Sequence, residues 1–220
     1  MRVWSGHMRF PELIQRLPFV FSSEELAEEL SLKKTSADKL CQRYVKRGVF
    51  VRLKRDRYLF ERDLITLSHK RAIELSAVIQ EGTYVSCGTA LEYHGIFSGQ
   101  SYGIEAVSTR RSFESRCGSW RFRYYRFPQK YVLPGALATP EKALLDLFYL
   151  QSLGRYPFHM KRIRRDLLSL EKMRVLAALY PKLVQLRVER LWKSNFGVAP
   201  VPRPTKNDLR RGVSKESARF

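Results

Sequence analysis

The sequence predicts an α+β protein in which a small N-terminal domain precedes a mixed α/β domain that ends in a helical region. Three observations support this fold class. First, two segments with helical periodicity precede two short β-prone runs near the N-terminus. Second, β-prone and helical segments then alternate; third, a purely helical pattern follows them. The boundaries are residues 9–62 for the first domain, 63–195 for the second and 196–220 for a basic disordered tail.

The composition is strongly basic. The 220 residues include 41 Lys and Arg against 21 Asp and Glu, a net charge of +20. Because 44% of the residues are hydrophobic, this charge belongs to the surface of a folded protein. A polyanion is therefore the expected partner, and charge alone leaves DNA, RNA and an anionic membrane open. The charge is distributed unevenly along the chain. Residues 1–60 carry 13 basic and 7 acidic residues, whereas residues 61–107 carry 3 basic and 6 acidic residues.

The chain shows no signal for membrane insertion or secretion. No apolar run approaches the roughly 18 residues that a membrane span needs, and the first residues lack the apolar stretch of a signal peptide. Cys41, Cys87 and Cys117 have no CxxC spacing, which favours buried, reduced thiols. We therefore expect a cytoplasmic protein without a membrane partner.

A capping box marks the first helix of the N-terminal domain. Ser22 is followed three residues later by Glu25, and the next apolar positions, Leu26, Ala27 and Leu30, give the helix a buried face. Most of the other positions are acidic, so this helix cannot lie against a phosphate backbone.

A second, longer helix carries two chemically distinct faces. Thr35 is its predicted N-cap, and Gly48 supplies the left-handed residue that ends it. An apolar stripe follows helical spacing: Ala37, Leu40, Cys41, Tyr44 and Val45. The other side presents polar and cationic groups: Ser36, Lys39, Arg43, Lys46 and Arg47. A helix docked in the major groove needs this arrangement, although an isolated basic stripe is more often a solvated face.

A basic hairpin completes this domain. Two β-prone runs, residues 49–53 and 58–60, flank the cationic tip Lys54-Arg55-Asp56-Arg57. Helix, short turn, basic helix and basic hairpin in this order are typical of a winged helix-turn-helix that binds double-stranded DNA. We expect base contacts in the major groove from Ser36, Lys39 and Arg43. Phosphate contacts are expected from Lys33, Lys34, Lys46 and Arg47, and from Arg55 and Arg57 in the hairpin.

The second domain is predicted to combine strands and helices. The expected strands lie near residues 83–86, 102–108 and 119–127. The expected helices lie near residues 69–80, 88–94 and 140–152, with a helical region over about 158–192. Thr139 as N-cap and Pro140 at the first helical position start the 140–152 helix. Gly88, Thr89 and Gly95 are interpreted as turn and cap residues.

Three segments carry a resemblance to a known family. They are Gly48-Val-Phe-Val-Arg-Leu-Lys-Arg-Asp-Arg-Tyr58, Tyr84-Val-Ser-Cys-Gly-Thr-Ala-Leu-Glu-Tyr-His-Gly95 and Ala138-Thr-Pro-Glu-Lys-Ala-Leu-Leu-Asp146. In this order they resemble the AbiEi-type antitoxins of type IV toxin-antitoxin systems and their stand-alone regulator relatives. Asp56 departs from the family, which usually has a glycine near this position. Since Asp tolerates left-handed backbone better than most residues, we expect the turn to survive.

The resemblance implies a prokaryotic, nucleoid-associated repressor. Its N-terminal domain would bind inverted repeats in the operator of its own operon, and its second domain would counteract a cognate nucleotidyltransferase-like toxin. A stand-alone transcriptional regulator without a toxin is the alternative.

The sequence contains no pattern typical of a catalytic or metal site, so we expect no enzymatic activity, no cofactor and no metal. Metal-dependent nucleotidyl transfer uses closely spaced carboxylates, and the one pair two residues apart, Glu61 and Asp63, is expected in a surface loop. The 4 histidines lack ligand spacing. Ser86 and Cys87 near His94 suggest a nucleophile with a base, but helix packing explains them. An enzyme acting on RNA or DNA is the less favoured alternative.

Overall fold

The computed structural model of the protein describes residues 16–97, 103–156 and 163–193. Within these ranges the chain forms eight α-helices and two small sheets, which confirms the α+β class. No helix in these ranges is both long and apolar enough to cross a membrane. The predictions for residues 9–15, for residues 158–162 and for the tail at 196–220 lie outside the described residues.

Two helices and a hairpin form the N-terminal part of the described chain. Helices α1 (Ser23–Glu29) and α2 (Lys34–Lys46) precede strands β1 (Phe50–Lys54) and β2 (Arg57–Phe60), which pair antiparallel. Phe21 forms an isolated antiparallel bridge to β2 through backbone hydrogen bonds of 2.9 and 2.8 Å with Tyr58. Apolar side chains from all these elements share one core: Phe21, Leu26, Ala37, Cys41 and Phe50. The burial of this core holds α2 against the hairpin.

The ends of the first two helices partly match the sequence signals. The Ser22 hydroxyl accepts a hydrogen bond from the Glu25 amide at 3.1 Å, and the Ser22 amide donates to the Glu25 carboxylate at 2.6 Å, so the capping box is confirmed. Gly48 has a left-handed φ of +69°. The prediction of Thr35 as N-cap is wrong, because α2 begins at Lys34 and leaves Thr35 inside its first turn. The N-cap is Lys33, whose side chain makes no capping hydrogen bond.

A short helix joins the hairpin to the rest of the chain. Helix α3 (Glu61–Ile65) follows β2 directly, so the predicted surface loop at Glu61 and Asp63 is instead helical. The Glu61 amide donates to the Val49 carbonyl at 3.0 Å, which extends the hairpin pairing up to the start of this helix. Helix α4 (His69–Ile79) then confirms the helix predicted near residues 69–80.

The second sheet has four strands in the order β3-β4-β6-β5. They are β3 (Thr83–Val85), β4 (Ile104–Ser108), β5 (Phe113–Cys117) and β6 (Trp120–Arg126), with β4 parallel to β6 and the other pairs antiparallel. The three predicted strands are present. The sequence pattern does not indicate β5, because this edge strand alternates exposed polar residues with only partly buried ones until Cys117.

Each face of this sheet packs against different elements. Phe122 and Tyr124 face α4 and also contact the cluster that contains Leu59 of the hairpin. Val107 and Tyr125 face α5 (Cys87–Tyr93) and α6 (Pro140–Ser152) on the other side. Helix α6 starts as predicted, with Thr139 as N-cap and Pro140 in the first turn. The hairpin and the sheet therefore share an apolar core.

Two further helices close the described structure. Helices α7 (Leu170–Ala177) and α8 (Lys182–Lys193) confirm the helical region over its described part. They pack on α6 through buried side chains, among them Met173, Tyr180, Val184 and Val188. Four large apolar side chains of these helices and of the link between them are exposed: Val175, Leu179, Leu183 and Leu186.

Candidate nucleic-acid interface

The exposed side of α2 gathers the side chains predicted to contact DNA. Ala37 and Cys41 are fully buried on its inner side. The predicted contact residues of the helix are all exposed on the other side: Ser36, Lys39, Arg43, Lys46 and Arg47. The structure thus places these side chains on one surface, and we call Lys39, Arg43, Lys46 and Arg47 the α2 basic face.

The cations of the α2 basic face are not neutralised by acidic neighbours. Within the described residues, none of them forms an ion pair, and the same holds for Lys33 and Arg55. Arg174 on α7 differs, because Glu189 holds it through hydrogen bonds of 2.7 and 2.8 Å. Because no carboxylate in the described ranges cancels the positive potential of these exposed cations, this surface attracts polyanions.

Lys34 differs from the other predicted phosphate contacts. Its ammonium group lies 3.7 Å from the Asp56 carboxylate and 3.8 Å from that of Glu24. The side chain is half exposed, so these ion pairs are weak, but they draw the cation towards two acidic groups. The contact also places the hairpin tip beside the start of α2.

The tip of the hairpin is basic and exposed. Arg55 and Arg57 both face solvent, and the Arg57 guanidinium donates to the Asp56 carbonyl at 3.2 Å. Arg52 and Lys54 add two cations on β1 that are not among the predicted DNA contacts. Lys54 pairs with Glu81 at 2.9 Å, whereas Arg52 donates to the Lys54 carbonyl at 3.3 Å. The hairpin tip meets α2 at Lys34, in the first turn of the helix.

Asp56 explains how the hairpin turn forms without glycine. Its backbone is left-handed, with φ of +55°. One carboxylate oxygen accepts hydrogen bonds from the Ser23 amide at 2.9 Å and from the Ser23 hydroxyl at 2.7 Å. Burial favours a higher pKa for Asp56, but the Ser23 hydrogen bonds, with Lys34 and Arg57 nearby, outweigh it and lower this pKa. The side chain therefore ties the hairpin tip to the first turn of α1.

We expect the variant Asp56→Gly to lower the free energy of unfolding by about 1 to 2 kcal/mol, because α1 loses a capping acceptor while the backbone stays unstrained. Asp56→Ala should cost about 1 kcal/mol more, since alanine adopts a left-handed φ less readily than glycine. Urea unfolding of both variants and the wild type measures the two differences. If Asp56→Ala had the same free energy of unfolding as the wild type, Asp56 would not stabilise α1 and the hairpin turn.

The pH dependence of stability gives a second test of Asp56. A carboxyl group whose pKa is lowered by folding contributes stability above its unfolded pKa, about 3.9, and loses it as the pH falls through the folded value. Asp56→Asn keeps a hydrogen-bond acceptor but does not titrate. We therefore expect its stability to fall less than that of the wild type between about pH 5 and pH 3. Parallel pH profiles would contradict the proposed contribution.

A buried polar cluster that the sequence does not predict surrounds Asp146 on α6. Asp146 forms an ion pair with Lys142 one helical turn earlier, and both side chains are buried. Its carboxylate also accepts hydrogen bonds from the hydroxyls of Tyr84, Ser86 and Tyr180 at 2.8, 2.7 and 2.5 Å. Burial lowers the pKa of Lys142, and Asp146 acts against that shift. The cluster joins β3, α5, α6 and the α7–α8 link.

The residues that suggested a nucleophile and a base are not brought together. Ser86 donates to Asp146, whereas the His94 Nε2 atom lies 2.8 Å from the Ala138 carbonyl oxygen. Burial raises the pKa of the Cys87 thiol well above its usual value, so this group is not an activated nucleophile. All three cysteines are free and buried, as predicted.

Gly88 and Thr89 lie inside α5, which corrects their interpretation as turn and cap residues. The Gly88 amide donates to the buried Glu105 carboxylate at 2.8 Å, and the Thr89 hydroxyl accepts from the Glu105 amide at 2.9 Å. A Cβ atom on residue 88 would lie 2.9 Å from Glu105 Oε2, so the close approach requires glycine. Burial raises the pKa of Glu105. Gly95, with φ of +69°, does end α5 as predicted.

Comparisons with known proteins do not identify a family or a function for this chain. The chain matches no family model, and it matches no curated protein. In the described part of the chain, no group of three or more His, Cys, Asp or Glu side chains is placed to hold a metal ion.

Proposed function

We propose that the protein is a DNA-binding transcriptional regulator whose winged helix-turn-helix consists of α1, α2 and the β1–β2 hairpin. In this assignment α2 enters the major groove of double-stranded DNA, and the hairpin is the wing that lies along the phosphates. The resemblance to AbiEi-type antitoxins leads to the same assignment and adds repression of the protein's own operon through inverted repeats. The proposal includes no enzymatic step.

The observation that carries this proposal is the unneutralised α2 basic face beside a basic hairpin tip. An amphipathic helix alone is weak support, since solvated basic faces are common. Here the inner side of α2 packs into a core, the outer side keeps its cations unpaired among the described residues, and the hydrogen bonds from Ser23 to Asp56 tie the hairpin tip to the start of α1. Groove binding requires the same combination of a fixed helix and exposed donors.

Each predicted contact has a role in this proposal. Lys39 and Arg43, with Ser36, are the proposed base contacts, because they lie on the exposed side of α2. The proposed phosphate contacts are Lys33, Lys46 and Arg47 on α2 and Arg55 and Arg57 on the wing. Lys34 is better placed to position the hairpin tip than to bind phosphate, because it already lies near two carboxylates.

Removal of two phosphate contacts tests the proposed surface. The double variant K46A/R47A should bind duplex DNA more weakly, and the slope of log Kd against log salt should fall by about 2. The matched control is K182A/R190A, which removes two exposed cations from α8 that form no ion pair in the described structure. Fluorescence anisotropy at several salt concentrations measures both slopes. Equal effects of the two variants would indicate nonspecific attraction and contradict the proposal.

The exposed apolar side chains of α7 and α8 favour a second candidate function, binding of a cognate nucleotidyltransferase-like toxin; the resemblance implies that the protein counteracts such a toxin. Exposed fractions of 69% for Val175, 52% for Leu179, 45% for Leu183 and 44% for Leu186 leave these side chains open to a protein partner. If a gene for such a toxin adjoins this one, we expect the two purified products to form a complex. Leu179→Asp should weaken this complex and K46A/R47A should not. No complex with the wild-type protein would exclude this function.

A further inference from the structure

A cleft of about 390 Å³ lies between the hairpin and the edge of the four-stranded sheet. Its apolar side is formed by Leu53, Ile79 and Phe113, which come from β1, α4 and β5. Three cationic side chains, Lys54, Arg110 and Arg111, line it as well. The cleft is thus built from both parts of the described chain.

The cleft carries a positive net charge. Glu81 is the one carboxylate among its described lining residues, and Lys54 binds it at 2.9 Å. Lys54, with a smaller effect of Arg110, lowers the pKa of Glu81, so this carboxylate stays ionised. Arg110 and Arg111 are exposed, and neither forms an ion pair with a described residue. Their two charges remain available to an anion.

The apolar side of the cleft is held in place. The Phe113 ring stacks on Tyr124 with a centroid distance of 4.5 Å and an interplanar angle of 8°. The Gln80 amide donates to the Ser108 hydroxyl at 2.6 Å in the buried layer behind the rim. The Arg111 guanidinium lies 5.9 Å from the Phe113 centroid, which places one charge directly beside the aromatic ring. A ligand would therefore meet a largely preformed surface.

These features fit a small ligand better than a DNA backbone. The volume of the cleft, about 390 Å³, lies within the range of about 300 to 1,000 Å³ that small-molecule sites show. A phosphodiester backbone would leave Leu53, Ile79 and Phe113 without apolar contact.

We propose that this cleft binds a small organic anion, whose ring packs on the apolar side of the cleft and whose phosphate, sulfonate or carboxylate group is held by Arg110 and Arg111. The proposal is independent of DNA binding by α2. Since the cleft joins β1 of the hairpin to β5 of the sheet, the ligand would contact both.

The first experiment uses anilinonaphthalene sulfonate, an aromatic anion whose fluorescence reports binding. We expect saturable binding to the full chain and a loss of affinity of about tenfold or more in R110A/R111A. The control R126A/K130A removes two exposed cations outside the cleft lining and should bind the dye like the wild type. Because Arg110 and Arg111 are exposed, their removal should leave the thermal unfolding midpoint unchanged, which the same samples test.

Competition separates the contributions of charge and ring. Adenosine monophosphate should displace the dye at lower concentration than either inorganic phosphate or adenosine, because only the nucleotide offers both parts of the ligand. Equal dye affinity in the wild type and R110A/R111A would overturn the proposal. Absence of binding by both the dye and adenosine monophosphate to the wild type would also overturn it, and weaker DNA binding by R110A/R111A would then assign the cleft to DNA phosphates.

Discussion

Asp146→Ala is expected to lower the free energy of unfolding by about 3 to 5 kcal/mol, a larger loss than the removal of an exposed side chain causes. The substitution leaves the buried Lys142 ammonium without its counter-charge. It also removes the acceptor for the hydroxyls of Tyr84, Ser86 and Tyr180. Tyr84 still accepts from Lys142 at 2.6 Å, but a neutral hydroxyl cannot balance the charge. Urea unfolding at neutral pH measures the loss.

Two variants separate the buried charge from the lost hydrogen bonds. Asp146→Asn keeps an acceptor near the hydroxyls but leaves Lys142 unpaired, so it should remain strongly destabilised. K142M/D146N removes both charges and should recover part of the stability that Asp146→Asn loses. Asp166→Ala, which breaks an exposed ion pair with Arg164, should change stability by less than about 1 kcal/mol. A similarly small effect of Asp146→Ala would show that the cluster does not stabilise the fold.

Arg43→Ala is expected to weaken binding to the operator by about 1 to 3 kcal/mol while changing binding to random duplex much less. The reason is that a bidentate contact to a guanine edge is lost only where the guanine is present. Arg43 lies on the exposed side of α2 and forms no ion pair in the described structure, so the substitution should leave the fold intact. Competition binding against both duplexes measures the two losses.

Lys46→Ala is the matched comparison for Arg43→Ala. As a proposed phosphate contact, Lys46 should contribute alike on both duplexes, and its removal should reduce the salt slope by about 1. If Arg43→Ala lowered affinity for operator and random DNA equally, Arg43 would also be a phosphate contact, and base recognition would have to come from other residues of α2.

Short-range signals made the N-terminal part predictable from sequence. The Ser22 capping box, the apolar period of α2 and the tip of the hairpin each depend on residues a few positions apart. The Thr35 assignment failed because sequence preference does not fix the first residue of a helix to within one or two positions. For Asp56, the sequence predicted the left-handed backbone but not the hydrogen bonds that its carboxylate accepts from Ser23.

Long-range contacts account for most of what the sequence did not indicate. Tyr84 and Asp146 lie 62 positions apart, so no periodicity connects the members of the buried cluster. The edge strand β5 has too weak an alternation to be recognised alone, and pairing with β6 defines it. Lys34 is likewise drawn to Asp56 only in the folded chain, so the sequence alone predicted a phosphate contact for it. The cleft at Arg110 and Arg111 exists only once the hairpin packs beside the sheet.

Binding to DNA from directly upstream of the gene tests the central claim most directly. Purified protein is titrated into that fragment and into a scrambled duplex of equal length, at two salt concentrations, because charge alone predicts binding to both. Sequence recognition by α2 predicts that the upstream fragment binds about a thousandfold more tightly or better, and that Arg43→Ala reduces this ratio. If both duplexes bound with equal affinity and salt weakened both equally, α2 would not recognise a sequence. The basic surface would then bind DNA nonspecifically.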